Sequence, residues 1–115
     1  LSLLHAQQDL ARFPARSHDL VASCLREMGR QRDAIEWLRR ALDAYPGDAN
    51  LAHSLASYLG SEKEPRWDEM ERLLWMAYAV RSHDAHLVCD LARVLILRER
   101  FAEALKLLDR ADALD

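Results

Sequence analysis

The chain has 115 residues, of which half are hydrophobic and 30% are charged, a balance typical of a folded protein rather than a disordered segment. Its formal net charge at pH 7 is −3 and charges of both signs are interspersed, so it lacks the basic surface that holds a nucleic-acid backbone. No apolar run approaches the ~20 residues of a membrane-spanning helix, so we expect neither nucleic-acid binding nor membrane insertion.

Helical periodicity extends along nearly the whole chain. Apolar residues recur at the three-and-four spacing of an amphipathic helix, and no segment shows the alternation of a strand. Side-chain oxygens at Ser17, Asp48 and Asp84 stand where each could cap the helix that follows. The pattern predicts helices over residues 1–12, 17–28, 31–44, 49–60, 66–81, 85–98 and 101–114.

The helices repeat in pairs. The repeated alanines of alternate helices are 34 and then 36 residues apart, and the two extra residues fall in the loop at 60–65. A small residue flanked by large aliphatic ones lets two antiparallel helices approach closely, and stacked pairs bury a core that one pair cannot. The repeated positions are Ala22, Ala56 and Ala92 in alternate helices, and Leu38, Leu74 and Leu108 in the helices between them.

This pattern resembles the tetratricopeptide repeat, a helix-turn-helix of about 34 residues with the motif W-x2-L-G-x2-Y, A-x3-F and P. The copies read His18-x2-Val21-Ala22-x2-Leu25 with Ala34-x3-Leu38 and Pro46; Ala52-x2-Leu55-Ala56-x2-Leu59 with Met70-x3-Leu74; and Val88-x2-Leu91-Ala92-x2-Leu95 with Ala104-x3-Leu108. Each copy has alanine where the motif has glycine, and Met70 fills a small-residue position. Sel1-type repeats, with a somewhat longer period and more glycine, are the nearest alternative.

The resemblance implies an all-α fold, a right-handed α-solenoid of antiparallel helix pairs with about three repeats plus a leading helix. Residues 1–14 would form the second helix of a truncated preceding repeat. Residues 15–48 and 49–84 would form the first and second repeats, and 85–115 an incomplete third. Because the chain opens at Leu1 and stops in a helical pattern, we expect it to be part of a larger protein.

By the same resemblance the chain is a protein–protein interaction scaffold that binds a peptide or a partner helix on a concave face lined by the first helix of each pair. A solvated helix face is the plainer interpretation of the same residues. The alternative function is a structural spacer or self-assembly module that acts through its ends and convex face. The residues expected to face the partner are Asp19, Ser23, Arg26, Asn50, His53, Ser57, His86, Cys89, Arg93 and Ile96.

No residue pattern favours an enzyme, a cofactor or a metal site. Ser-His-Asp occurs twice, from Ser17 and from Ser82, but adjacent helical residues point about 100° apart and cannot form a triad. The spacing of His83, His86 and Cys89 permits metal ligation, but His83 is predicted to lie in a turn. The tryptophans and tyrosines are interpreted as core residues. The carboxylate clamp of chaperone-binding members is absent, since its positions hold Asp19, Ser23, Ser54, His86 and Asp90.

The two cysteines belong to different repeats, so we expect no disulfide between Cys24 and Cys89. Cys24 is predicted to lie on the buried side of its helix and Cys89 on the open face. Free thiols favour a cytoplasmic protein, with the periplasm left open. The last predicted helix carries more apolar residues than one stripe can bury, so we expect self-association through the terminal helices.

Overall fold

The structure, a computed structural model, describes the backbone of residues 7–114 and the side chains of residues 10–111. Within these residues every regular element is helical. A 3₁₀ helix spans Gln7–Arg12 and is followed by α1 (Ala15–Glu27), α2 (Gln31–Ala44), α3 (Ala49–Gly60), α4 (Trp67–Val80), α5 (Ala85–Leu97) and α6 (Phe101–Leu114). Among them, no helix combines the length and the apolar character needed to cross a bilayer.

The helices form three antiparallel pairs, α1/α2, α3/α4 and α5/α6, stacked in chain order into a body of 45 × 29 × 20 Å. Helices α1, α3 and α5 are called the first helices below, and α2, α4 and α6 the second helices. Each first helix after α1 also packs against the second helix that precedes it, and α3 packs against α1. The predicted all-α solenoid of helix pairs is confirmed.

The leading segment differs from the prediction of a helix over 1–12. Residues 1–6 lie outside the described part of the chain, and Gln7–Arg12 is a 3₁₀ helix rather than an α-helix. Pro14 is the physical reason for the break, since proline disfavours helical geometry in the residue before it. Pro14 itself is extended and precedes the first residue of α1, so that helix begins at Ala15 and Ser17 is not its cap.

The other two predicted caps are confirmed. Asp48 Oδ1 accepts a hydrogen bond of 2.9 Å from the Leu51 amide at the start of α3. Asp84 Oδ1 accepts from the amides of His86 and Leu87, at 3.0 and 3.2 Å, at the start of α5. The Leu87 amide is the main reason that the pKa of the Asp84 carboxyl lies below its usual value, and it outweighs the opposing effect of burial.

The turns between the paired helices of the first and third repeats have the same geometry. The Arg30 amide donates to the Leu25 carbonyl at 2.9 Å, and the Arg100 amide donates to the Leu95 carbonyl at 2.8 Å. Each turn requires one left-handed residue, which is Gly29 (φ 77°) in the first repeat and Glu99 (φ 62°) in the third. Glutamate therefore occupies a conformation that favours glycine.

The repeated small residues lie where the helices touch. Ala22, Ala56 and Ala92 of the first helices are at most 3% exposed, and Leu38 and Leu74 of the second helices are also buried. This confirms the phase of the repeat. Beside these residues lie Ala41 and Ala77, both fully buried.

The core ends at the last helix, where one repeated leucine departs from the pattern. Leu108 is 36% exposed because no further pair covers α6 in the described structure, whereas Leu107 is buried like its counterpart Leu73 of α4. The same kind of end effect overturns the prediction for Cys24. Its counterparts Tyr58 and Val94 are buried against the preceding repeat, whereas Cys24 has no preceding first helix beside it in the described residues and is exposed.

Candidate partner-binding surface

All ten residues predicted to face a partner lie on the three first helices, and none of them is buried. Asp19 and His53 are partly exposed, and the other eight are exposed. We call this set the first-helix face. Two contacts between repeats, described next, already engage several of its members.

The first contact links the first repeat to the second. Arg26 Nη2 donates to Ser61 Oγ at 3.2 Å, and its guanidinium lies 4.7 Å from the centre of the Tyr58 ring. A cation over an aromatic face is attracted by the quadrupole of the ring, whose face is electrostatically negative. Arg26 is therefore a surface residue that also connects the first repeat to the second. Its position in the sequence alone does not reveal this contact.

The second contact links the second repeat to the third. His53 Nε2 and Asp90 Oδ2 are 2.7 Å apart, and both side chains are less than one fifth exposed. Within the second repeat, Arg81 at the end of α4 donates to Asn50 Oδ1 on α3. The His53–Asp90 pair spans α3 and α5, so it holds two first helices in a fixed relation to each other.

A groove of about 480 Å³ opens between α3, α4 and α5, immediately beside the His53–Asp90 pair. Three of the predicted partner-facing residues, Ser57, His86 and Arg93, line it together. The other seven do not line it: Asp19, Ser23, Arg26, Asn50, His53, Cys89 and Ile96. The remaining lining residues are Ala56, Gly60, Ser61, Trp67, Met70, Leu74, Asp90, Val94 and Leu97.

The floor of the groove is apolar. Met70, Leu74 and Val94 are each at most 7% exposed, while Leu97 at the edge is 56% exposed. Gly60 allows the Met70 side chain to pack closely against α3, since a Cβ atom at position 60 would lie only 3.0 Å from Met70 Cε. The floor was missed from the sequence because Met70 and Trp67 belong to a second helix, which the repeat pattern assigns to the core. Apart from its apolar character, no feature of the sequence indicates that exposed Leu97 lines the groove.

The rim of the groove is polar, and its positive group is more accessible to solvent than its negative group. Among the described residues Asp90 is the one acid that lines it, and its oxygens face His53 at 2.7 Å and Arg93 Nη1 at 3.3 Å. The Arg93 side chain is 69% exposed, against 16% for Asp90. His86 stands beside this group, with its ring centre 5.7 Å from that of His53. The accessible charge at the rim is therefore cationic.

The first Ser-His-Asp run has a structural role. His18 is buried, with Nε2 2.6 Å from the Leu10 carbonyl oxygen and Nδ1 3.3 Å from Trp37 Nε1. Trp37 can only donate, so Nδ1 accepts and Nε2–H donates to the carbonyl. Both ring nitrogens of His18 thus join α1 to its neighbours, and neither is directed to Ser17 or Asp19.

The second run, Ser82 to Asp84, forms the turn before α5, where Asp84 caps the helix. In the part of the chain that the structure describes, no three His, Cys, Asp or Glu side chains are grouped so as to hold a metal ion. The trio of His83, His86 and Cys89 is split because His83 lies in the turn.

No protein-family model matches the chain, and no curated protein does. Among solved structures, a point mutant of MamA superposes with a TM-score of 0.74, over 95% of this chain and 80% of that chain, at 21% sequence identity. At this identity the likeness carries the fold alone. The chain therefore has a tetratricopeptide-type helical repeat fold, an all-α solenoid of antiparallel helix pairs.

Proposed function

We propose that this chain is a protein–protein interaction scaffold that receives a peptide or a partner helix on its first-helix face, with the groove between α3, α4 and α5 as the main point of contact. The observation that carries the proposal is the groove itself, an apolar floor beside a polar rim that is open to solvent. Pockets that bind ligands combine these two features. Stacked helical repeats in general present extended surfaces of this kind to partners.

The contacts between repeats support the same proposal. His53–Asp90 and Arg26–Tyr58 hold the first helices in place before any partner arrives. A surface that is already ordered loses less conformational entropy on binding, which favours affinity. The groove is thus prepared for a partner rather than formed by it.

Selection of a random peptide library on the immobilised chain tests the proposal. Ser57→Trp would fill the groove from its rim, whereas Ser23→Trp makes the same change at the equivalent position of the first repeat, outside the groove. We expect peptides selected on the native chain to bind Ser23→Trp unchanged and Ser57→Trp at least about tenfold more weakly, since an occupied groove removes their contacts. Equal binding to both variants would rule out the groove as the binding site.

A second candidate function, assembly through the end of the stack, is favoured by a different observation. Leu105 on α6 is 67% exposed, whereas Ile35 and Glu71 at the equivalent positions of α2 and α4 are 8% exposed because the next first helix covers them. Phe101 and Leu108 flank Leu105 on the same side of α6 and are exposed as well. This side of α6 has the character of a stacking surface, which favours a further helix or a second copy of the chain.

Sedimentation at increasing concentration separates the two candidates. If α6 mediates assembly, the mean mass rises with concentration in the native chain, and Leu105→Glu abolishes the rise without changing the helical circular dichroism signal. A chain that stays monomeric at millimolar concentration would exclude self-assembly through α6 and leave peptide binding unaffected.

A further inference from the structure

We infer that the groove between α3, α4 and α5 selects an extended peptide that carries a carboxylate next to a large apolar side chain. The inference rests on the proposed function and adds the chemistry of the partner. It combines three features of the groove: the accessible guanidinium of Arg93, the engaged carboxylate of Asp90, and the apolar surface formed by Met70 and Leu97.

Arg93 is available to an incoming anion. Its one hydrogen bond among the described residues is a long one, 3.3 Å from Nη1 to Asp90 Oδ1, and 69% of the side chain is exposed. A guanidinium has five N–H donors in a planar fork, which can hold both oxygens of a carboxylate at once. Most of the hydrogen-bonding capacity of Arg93 is therefore free for a ligand.

A basic ligand meets no equivalent partner among the described residues of the groove. Asp90 is the one acid in this lining, it is 16% exposed, and its Oδ2 lies 2.7 Å from His53 Nε2. A lysine would have to compete with both His53 and Arg93 for its oxygens. His86, which also lines the groove, adds no negative charge to the rim. Charge complementarity thus favours an acidic ligand.

The apolar part of the groove sets the second requirement. Leu97 is 56% exposed at the edge, close to the floor formed by Met70 and Leu74. Covering exposed Leu97 with a bulky aliphatic or aromatic side chain removes apolar surface from water. Met70 can adapt to different shapes because its side chain is unbranched and flexible. Hydrophilic anions such as free phosphate lack the group that would use this surface.

Selection of a random dodecapeptide library tests the inference on three proteins: the native chain, Arg93→Glu and Arg72→Glu. Arg72 is an exposed residue of α4 outside the groove, so its variant makes the same change of charge elsewhere. We expect the native chain and Arg72→Glu to enrich peptides with Asp or Glu beside a large apolar residue. Arg93→Glu should lose that enrichment and favour Lys or Arg in its place.

Fluorescence anisotropy with one enriched peptide then gives magnitudes. Replacing its acid by the matching amide should weaken binding to the native chain by about tenfold or more, because a charge-assisted hydrogen-bonded pair is lost. The same replacement should have little effect on binding to Arg93→Gln. Leu97 is exposed, so Leu97→Ser should not threaten folding. It should weaken binding of the peptide, because the apolar side chain of the peptide loses its contact with Leu97. Peptides with a free C-terminus and with a C-terminal amide distinguish a terminal carboxylate from an acidic side chain.

Failure of the inference and failure of the proposed function give different results. Peptides that lose affinity for Ser57→Trp but show no preference for acids, or that respond identically to Arg93→Glu and Arg72→Glu, would overturn the inference and leave the groove as a binding site. Enrichment of no peptide that is sensitive to Ser57→Trp would overturn both.

Discussion

Arg98 donates a hydrogen bond of 2.8 Å from Nη1 to Glu71 Oε1, and this bond joins the end of α5 to the preceding second helix. Glu71 is only 8% exposed. Its carboxylate also accepts from Trp75 Nε1 at 3.0 Å and from Arg100 Nη1 at 2.5 Å. One buried acid therefore holds the turn of the third repeat against the second. The equivalent positions of α2 and α6 hold Ile35 and Leu105, so the repeat pattern does not predict this contact.

The pH dependence of stability should reveal this carboxylate. Burial, the largest influence, raises the pKa of Glu71, but hydrogen bonds from Trp75 and Arg100 and the charges of Arg100 and Arg98 together lower it below its usual 4.5. A carboxyl with a lowered pKa stabilises the fold fully above its unfolded pKa, and the contribution is lost as pH falls through the folded value. Urea unfolding of Glu71→Gln at pH 7 should show a loss of about 1–3 kcal/mol.

Below pH 4.5 the difference between Glu71→Gln and the native chain should shrink, because the carboxyl of the unfolded chain takes up a proton before the folded one, whose pKa is lower. Glu64→Gln, at an exposed loop position, serves as the control and should follow the native curve. A constant difference between Glu71→Gln and the native chain across this range would show that the ion pairs do not contribute.

Glu99→Gly should stabilise the protein. Glu99 has φ 62° in a turn whose counterpart in the first repeat contains Gly29, and a side chain in this region costs about 1–2 kcal/mol. The gain in the free energy of unfolding should therefore be about 1 kcal/mol after the greater flexibility of unfolded glycine is included. Gly29→Ala is the matched reverse change, since nothing lies within 4 Å of the added Cβ and only the backbone conformation is penalised. It should destabilise by a similar amount.

The repeated alanines should not tolerate enlargement. Ala56 and Ala77 are 1% and 0% exposed, so Ala56→Leu or Ala77→Leu forces helices apart and should cost about 1–3 kcal/mol in chemical denaturation. Ser57→Leu, next to Ala56 but on the accessible face, should cost much less. If Ser57→Leu were the more damaging change, the assignment of buried and open faces on α3 would be wrong.

Much of the fold follows from the sequence because it depends on local and periodic signals. Asp48 and Asp84 cap their helices through amides two or three residues away, and Ala56 repeats a packing constraint found in each pair. Features that depend on which helices lie beside a repeat do not follow from the sequence. Cys24 and Leu108 have the phase of buried residues but lie at the ends of the described stack, where no neighbour covers them.

The groove could be predicted only in part, for a related reason. Ser57, His86 and Arg93 were identified by helical spacing, which finds the open side of a helix. The pairing of His53 with Asp90 spans 37 positions, and no periodic signal identifies it. Contacts of this kind depend on how the pairs stack and on side-chain rotamers, and both are properties of the folded chain.

Thiol labelling should test the end effect at Cys24. Both native cysteines are free and exposed, so each should react with a thiol reagent about as fast in the folded protein as in an unfolded control. In a chain whose native cysteines are both changed to serine, the thiol introduced by Val94→Cys should react far more slowly, because Val94 occupies the position equivalent to Cys24 in the third repeat and is 3% exposed. Rapid labelling at position 94 would show that α5 is not covered by the preceding repeat.

The His53–Asp90 pair should couple the second repeat to the third. The side chains are 17% and 16% exposed and their atoms are 2.7 Å apart, so a double-mutant cycle with His53→Ala and Asp90→Ala should give a coupling of about 0.5–1.5 kcal/mol in the free energy of unfolding. A cycle with Arg93→Ala and Asp90→Ala is the matched comparison on the same carboxylate. Arg93 is 69% exposed and its bond is 3.3 Å long, so that coupling should be close to zero. The reverse order would mean that Asp90 is held by Arg93, which would leave Arg93 unavailable to a ligand and remove the basis for an acidic partner.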